Sequence, residues 1–258
     1  MSRAVRRASR GSASSRRTPV RPRGGGRGPR IPWVPVVVLI GIIGVIGIIA
    51  YLIWQQSKPA EQHFEEATRI EADPAPGLPG VYVDLPKIYG GFYGNRDGPN
   101  TADHVQRDVD YVDNCSDSEP KVCNSNPPVG GPHWGSSACA DTADASPPFC
   151  GPAKAGVYRE PWPPEPLVHN MEHGGVVLWY NTTNQEIVDE LEDMFGDLVR
   201  NDKLVAMAPY PGMEPETIAV TSWARIDKFP VSEYTKERVD DFVDVHLCRF
   251  NPEDLPFC

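Results

Sequence analysis

The sequence predicts an α+β fold in which a small mixed or antiparallel sheet carries helices on one face. A continuous apolar run at 176–180, VVLWY, is typical of a buried strand. The segment that follows, 184–200, repeats its apolar residues at the spacing of a single helical stripe. This pair opens a predicted order β-α-β-β-α, which favours a sheet with its helices segregated to one side.

The remaining predicted elements complete this order. Strands are expected near 204–208 and 217–223, because the Pro- and Gly-containing segment 209–212 between them is typical of a turn. A last helix is expected over 235–248, with Val, Phe and His side chains on one side. The region 88–166 is rich in Gly, Pro, Asn and Asp, so a long loop region should precede the regular core.

The N-terminus predicts a membrane anchor. Residues 1–30 contain ten Arg and no Lys, Asp or Glu, a composition that cannot form a core and predicts a disordered tail. Residues 31–54 carry no charge and are mostly Ile, Val and Leu. As a helix this run spans roughly 36 Å, enough to cross the bilayer core. A stalk over 55–86 and a globular domain over 87–258 should follow.

A secretory signal peptide is the alternative to an anchor at 31–54. The apolar run is about twice as long as a typical signal core, and no small-x-small cleavage site follows Trp54. The excess of Arg before the helix predicts a cytoplasmic N-terminus and an outer C-terminal domain. The sequence therefore predicts a single-pass protein with its domain outside the membrane.

Charge and cysteine usage agree with an outer domain. Beyond residue 30 the chain has 15 basic and 35 acidic residues, a formal charge of −20, which argues against nucleic acid as a partner. The six cysteines all follow the apolar run, and an even number outside the cytoplasm predicts three disulfides. We expect sequence neighbours to pair, because short loops cost least to close. The candidates are Cys115, Cys123, Cys139, Cys150, Cys248 and Cys258.

Two histidine phrases suggest a metal site. One is NPPVGGPHW at 126–134, which ends in His133, and the other is LVHNMEHGG at 167–175, which contains His169 and His173. Imidazoles four apart on a helical turn share one face, a spacing used to bind one metal. His133 could be a third ligand and His104 a fourth.

The identity of that metal depends on the other donors. Neutral imidazole suits zinc, copper, nickel and iron. A thioether from Met213 in MAPYPGM would favour copper, slightly ahead of zinc. We expect Glu172 to orient a ligand histidine as a hydrogen-bond acceptor in the second coordination shell. Metal delivery or membrane-linked redox assembly would be fitting roles.

Two other interpretations remain open. The same histidines could donate to backbone carbonyls and only order loops, which would make the domain a structural or protein-interaction module. The segment 169–173 also reads H-x-x-E-H, the motif of inverted zinc peptidases, in which Glu activates water. Prolines before it and Gly174-Gly175 after it predict little more than one helical turn, which makes a metal-dependent hydrolase the third choice.

The phrases also support a family assignment. Together with His104-Val105, Gly156-Val157-Tyr158 and Thr221-Ser222-Trp223, the two histidine phrases resemble those of the bacterial domain-of-unknown-function family 3105. The resemblance covers roughly 100–225 and implies a bacterial cell-membrane anchor, with no established activity. One departure is Val129-Gly130, where the family usually has Thr-Ser, which argues against a role for a hydroxyl group in that loop.

Overall fold

The structure is a computed structural model that describes residues 33–56, 78–89, 102–112, 114–115, 122–135 and 150–250. The chain divides into two compact units, Met1–Gln56 and Ser57–Cys258. The predicted tail at 1–30 lies outside the described residues, as do Cys139 and Cys258.

The first unit contains one long helix, α1, over Trp33–Gln56. Its segment Pro35–Trp54 is long and apolar enough to cross a membrane, judged by length and composition. Its large apolar side chains are exposed. The apolar helix expected over 31–54 is therefore present.

The second unit contains a mixed sheet whose six described strands are β1 (Val81–Tyr82), β4 (Gly156–Val157), β5 (Val176–Asn181), β6 (Val205–Pro209), β7 (Thr217–Ser222) and β8 (Arg225–Pro230). Their spatial order is β1-β8-β7-β5-β6-β4. Strand β6 pairs in parallel with β4 and β5, whereas the other pairs are antiparallel. A separate parallel pair joins β2 (His104–Val105) to β3 (His133–Trp134). The α+β class with a mixed sheet is confirmed.

Two amphipathic helices cover one face of the sheet. The described helices of this unit are α2 (Leu85–Tyr89), α3 (Pro164–Glu172), α4 (Gln185–Arg200) and α5 (Lys236–His246). Apolar residues of α4 and α5 pack with alternate residues of the central strands in one core cluster. Each helix begins at a side-chain cap, Asn184 for α4 and Thr235 for α5, which accepts a hydrogen bond from a backbone N–H of the first turn.

The opposite face of the sheet carries α3 and the loops. Because successive strand residues point to opposite faces, Val177 and Trp179 of β5 lie in a second core cluster with Leu167 and Val168 of α3. Trp223 and Val129 belong to the same cluster. This face therefore supports both histidine phrases.

Three features differ from the sequence-based expectations. Strand β8 was not predicted, and it pairs with β7 through a two-residue hairpin in which Ala224 has a φ of 61°. Helix α3 has nine residues instead of little more than one turn, because Pro164 and Pro166 occupy its first turn, where backbone N–H groups lack helical acceptors. A stalk was predicted over 55–86, but near its end the strand β1 (Val81–Tyr82) pairs with β8 of the sheet.

The disulfides are described in part. Cys115 and Cys123 are bonded, as expected for sequence neighbours. Cys150 and Cys248 are also disulfide-bonded. Their pairing with Cys139 and Cys258 stays a prediction.

Candidate metal centre

Helix α3 presents two polar side chains toward the loops. His169 and Glu172 lie three residues apart, so they share one face of the helix. His169 is 6 % exposed and Glu172 only 1 %. Carboxylates and imidazoles are rarely buried to this extent unless they are paired with each other or with a ligand.

The short parallel pair β2–β3 brings two further histidines together. His104 and His133 are register partners in this pair, and His133 N–H donates to the Asp103 carbonyl at 2.9 Å. Residues 29 positions apart in the chain thereby meet beside α3. His133 is completely buried, and its ring stands edge-on to Trp223, with centroids 6.1 Å apart.

The four side chains form one compact group. His104, His133, His169 and Glu172 each offer a ligand atom, and these atoms all lie within 4.8 Å of one another. The three imidazole centroids are 4.8 to 5.0 Å apart. Such a set of three nitrogens and one carboxylate oxygen could hold a transition metal.

The backbone determines which nitrogen of His133 faces the group. Its Nδ1 lies 2.8 Å from the Gly131 carbonyl oxygen, which can only accept, so Nδ1 carries hydrogen. Nε2 therefore faces Glu172, whose Oε2 lies 2.9 Å away. A hydrogen bond of this type from the outer nitrogen to a carbonyl commonly orients metal-binding histidines.

His169 is oriented in the same way. Its Nδ1 donates to the Trp134 carbonyl at 2.6 Å, which leaves the Nε2 lone pair available. Burial and, to a lesser extent, the neighbouring His133 lower the pKa of His169 to about 3, although the hydrogen bond to the Trp134 carbonyl raises it. The ring is therefore neutral at physiological pH, the state that a metal ligand requires.

Glu172 is an ionised carboxylate in a buried position. Burial alone raises its pKa, but nearby His133 and the hydrogen bonds from His104 and His133 outweigh this effect and hold the pKa well below its usual range. Its Oε2 lies 3.4 Å from His104 Nε2 and 2.9 Å from His133 Nε2. Its Oε1 is buried without a hydrogen-bond partner among the described residues.

Loop contacts fasten the β2–β3 pair to α3. Glu165, in the first turn of α3, accepts a 2.7 Å hydrogen bond from Val109 N–H. Trp134 Nε1 donates to the Arg107 carbonyl at 2.9 Å, and the Tyr111 hydroxyl donates to the Pro132 carbonyl. These bonds tie the segment after His104 to both the helix and the His133 loop.

The sequence matches a family described as protein of unknown function, DUF3105, over residues 115–256. That match covers more than half of the chain. The chain belongs to the DUF3105 family. No curated protein and no solved structure matches it.

The DUF3105 match contains three of the four grouped residues. His133, His169 and Glu172 lie within residues 115–256, whereas His104 precedes the matched segment. The family resemblance expected from the histidine phrases is confirmed. The family description itself assigns no ligand to them.

Two predicted ligands lie outside the four-residue group of this DUF3105 chain. His173 is the C-cap of α3, where the helix ends, and its ring packs on that of His169 with centroids 4.7 Å apart. The H-x-x-E-H motif uses both histidines as ligands, whereas here His169 groups with Glu172. Met213 is buried in the core cluster on this face of the sheet, and its place as a ligand stays a prediction.

Two contributions to the group were not predicted. Glu172 supplies one of the four grouped atoms itself, whereas we expected it only to orient a ligand. Its spacing of three from His169 on a helix is the signal that could have shown this. The carbonyls of Gly131 and Trp134, which orient two rings, carry no side-chain signal in the sequence.

Proposed function

We propose that this protein is a membrane-anchored metal-binding protein whose site consists of His104, His133, His169 and Glu172. The observation that carries the proposal is the convergence of these four donors within 4.8 Å, three of them almost fully buried. Among the described residues, Glu172 Oε1 is buried without a hydrogen-bond partner, and His133 and His169 are oriented by hydrogen bonds from Nδ1. Burying an ionised carboxylate in this way is costly unless a cation joins the group.

Donor spacing supports one metal ion at the site. Tetrahedral ligands with bonds of 2.0–2.1 Å stand roughly 3.3 Å apart. The pairs at 2.9 and 3.4 Å are near this value, and the widest separation, 4.8 Å, needs to close by roughly 1.5 Å. That movement is small for side chains on two short strands and one helix end.

The donor set favours zinc ahead of copper. Three imidazoles and a carboxylate suit Zn²⁺ and other divalent transition metals, whereas Cu(I) prefers thiolate or thioether sulfur. The four grouped atoms are three imidazole nitrogens and one carboxylate oxygen. With four protein ligands a tetrahedral ion keeps no open position, which favours metal storage or delivery over hydrolysis.

A structural role is the second candidate, and one observation favours it. Without metal, His133 Nε2 and Glu172 Oε2 at 2.9 Å can form a charge-assisted hydrogen bond that pins two loops to α3. In that case the histidines order the domain and bind nothing.

We also propose that α1 anchors the domain at a bacterial cell membrane with the N-terminus in the cytoplasm. Its length and composition, the Arg-rich segment before it, and the Cys115–Cys123 disulfide beyond it support this orientation. Alkaline phosphatase fused after residue 70 should be active in intact bacteria. An inactive, equally expressed fusion would overturn the orientation.

Metal analysis of the full-length protein, purified in detergent without a histidine tag, tests the metal-binding role. After exposure to Zn²⁺ and dialysis we expect about one zinc per chain, lost in His169→Ala and retained in the matched control His173→Ala. Absence of zinc and copper from the wild-type protein would overturn the proposal in favour of the structural role.

A further inference from the structure

The four grouped side chains are unequally accessible. The side chain of His104 is 38 % exposed, whereas that of Glu172 is 1 % exposed and that of His133 is buried completely. His169 is 6 % exposed as a residue. An ion held by these groups would therefore meet solvent along the edge occupied by His104.

The four side chains also differ in how the chain holds them. His133 and His169 are locked by short bonds from Nδ1 to backbone carbonyls, and His169 and Glu172 belong to a helix. His104 belongs to a strand of two residues, β2, which pairs with β3 in the described part of the chain. It lies against the group through its 3.4 Å contact with Glu172 and by stacking on His169.

Glu172 has a second carboxylate oxygen that could replace the His104 nitrogen as a metal ligand. Its Oε2 is shared by the two histidines, while Oε1 is buried without a hydrogen-bond partner among the described residues. A carboxylate can bind a metal through one oxygen or through both. When the His104 nitrogen leaves, Oε1 can take its coordination position, so the ion keeps four donors from three residues.

We propose that His104 is the exchangeable ligand of this site, and that metal enters and leaves along its exposed edge. This proposal rests on the proposed metal-binding function. The step is a ligand exchange without redox change: the bond from the metal to His104 Nε2 breaks, and a bond to Glu172 Oε1 forms. The edge that His104 leaves then faces solvent, and an imidazole or carboxylate of an incoming metal carrier can enter there and displace Oε1 from the ion.

The test is the rate at which zinc-loaded, full-length protein in detergent releases zinc to a colorimetric chelator. We expect His104→Ala to retain about one zinc at saturation and to release it at least about tenfold faster than wild type. Added imidazole should slow this release, because it enters along the vacated edge and replaces Oε1 as the fourth donor. The double variant His104→Ala/Glu172→Gln should not retain zinc, since a neutral amide cannot chelate through two oxygens.

Two results would overturn the exchange role while leaving metal binding intact. One is release from His104→Ala at the wild-type rate, and the other is complete loss of zinc, as expected for His169→Ala. Failure of the proposed function itself looks different, because the wild-type protein would then hold no zinc. Slower zinc release from His104→Ala in the presence of imidazole would also show that this variant is folded. A misfolded chain would have no site at which imidazole could complete the coordination of zinc.

Discussion

Glu172 Oε2 lies 2.9 Å from Nε2 of His133, and both side chains are almost completely buried. Because Nδ1 of the same ring donates to the Gly131 carbonyl, the proton that it carries is not available on the Glu172 side. An ionised carboxylate facing a bare nitrogen lone pair would be repulsive in a dry site. The contact is therefore favourable only when a proton or a metal ion lies between the two atoms.

Replacing the carboxylate separates these two cases. We expect Glu172→Gln to lower zinc affinity by at least roughly tenfold, because the site loses its one anionic ligand. Competition with a chelator of known affinity measures the change. The control is Glu192→Gln on α4, where the carboxylate pairs with exposed Arg159 and should leave affinity unchanged. Unaltered zinc affinity in Glu172→Gln would contradict ligation by this residue.

A glycine leaves the space that His104 occupies. A Cβ added at Gly135 would overlap the His104 ring, whereas one added at Gly156 would have its nearest neighbour at 3.7 Å. We therefore expect Gly135→Ala to displace His104 and speed zinc release several-fold, while Gly156→Ala behaves as wild type. Stopped-flow release into a chelator provides the measurement, and equal rates in the two variants would refute the placement of His104.

The buried carboxyl of Glu165 predicts a pH dependence of stability. Burial raises the pKa of Glu165, against the hydrogen bond from Val109 N–H, which lowers it. The native state therefore binds this proton more tightly than the unfolded chain does. The resulting stabilisation is complete below the unfolded pKa of about 4.3 and is lost as pH rises through the raised value.

Glu165→Gln should remove this dependence. In metal-free protein, the Tm of Glu165→Gln relative to that of wild type should rise between about pH 4 and pH 7. Glu214→Gln is a control whose Tm relative to wild type should fall over the same pH range, because a hydrogen bond from Lys228 lowers the pKa of Glu214. Parallel Tm curves for Glu165→Gln and wild type would contradict this environment for Glu165.

The Cys115–Cys123 disulfide closes a loop just before the His133 phrase. Replacing both cysteines with Ser should lower the free energy of unfolding by roughly 2–3 kcal/mol, the value that loop-closure entropy gives for a disulfide loop of this length. Urea denaturation of metal-free protein measures this change. We expect zinc stoichiometry to be unaffected, since neither cysteine belongs to the four-residue group. An unchanged urea midpoint would show that the disulfide does not stabilise the fold.

Apolar runs and apolar periodicity explain which parts of the fold could be predicted. Strand β5 and helices α4 and α5 each bury a regular set of side chains, and the expected and observed bounds agree within about two residues. Strand β8 escaped prediction because Asp227 and Lys228 interrupt its apolar pattern. Its hairpin also lacks the Gly or Asn that usually supplies a positive φ, since Ala224 takes that conformation.

The site could be predicted only in part for related reasons. Histidine spacing indicated His169 and His173, and the 126–134 phrase added His133, but the choice between Glu172 and His173 depends on where α3 ends. The prolines expected to shorten this helix instead begin it, and His173 at its C-cap falls outside the group. The juxtaposition of His104 with His133 depends on a two-residue strand pair, which leaves almost no periodic signal in the sequence.

X-ray absorption spectroscopy of the zinc-loaded, full-length protein would identify the atoms that bind the metal. We expect nitrogen and oxygen ligands at 2.0–2.2 Å from the zinc, with the multiple scattering of about three imidazoles and no sulfur. A sulfur shell near 2.3 Å, or a spectrum without imidazole scattering, would contradict the His104, His133, His169 and Glu172 site.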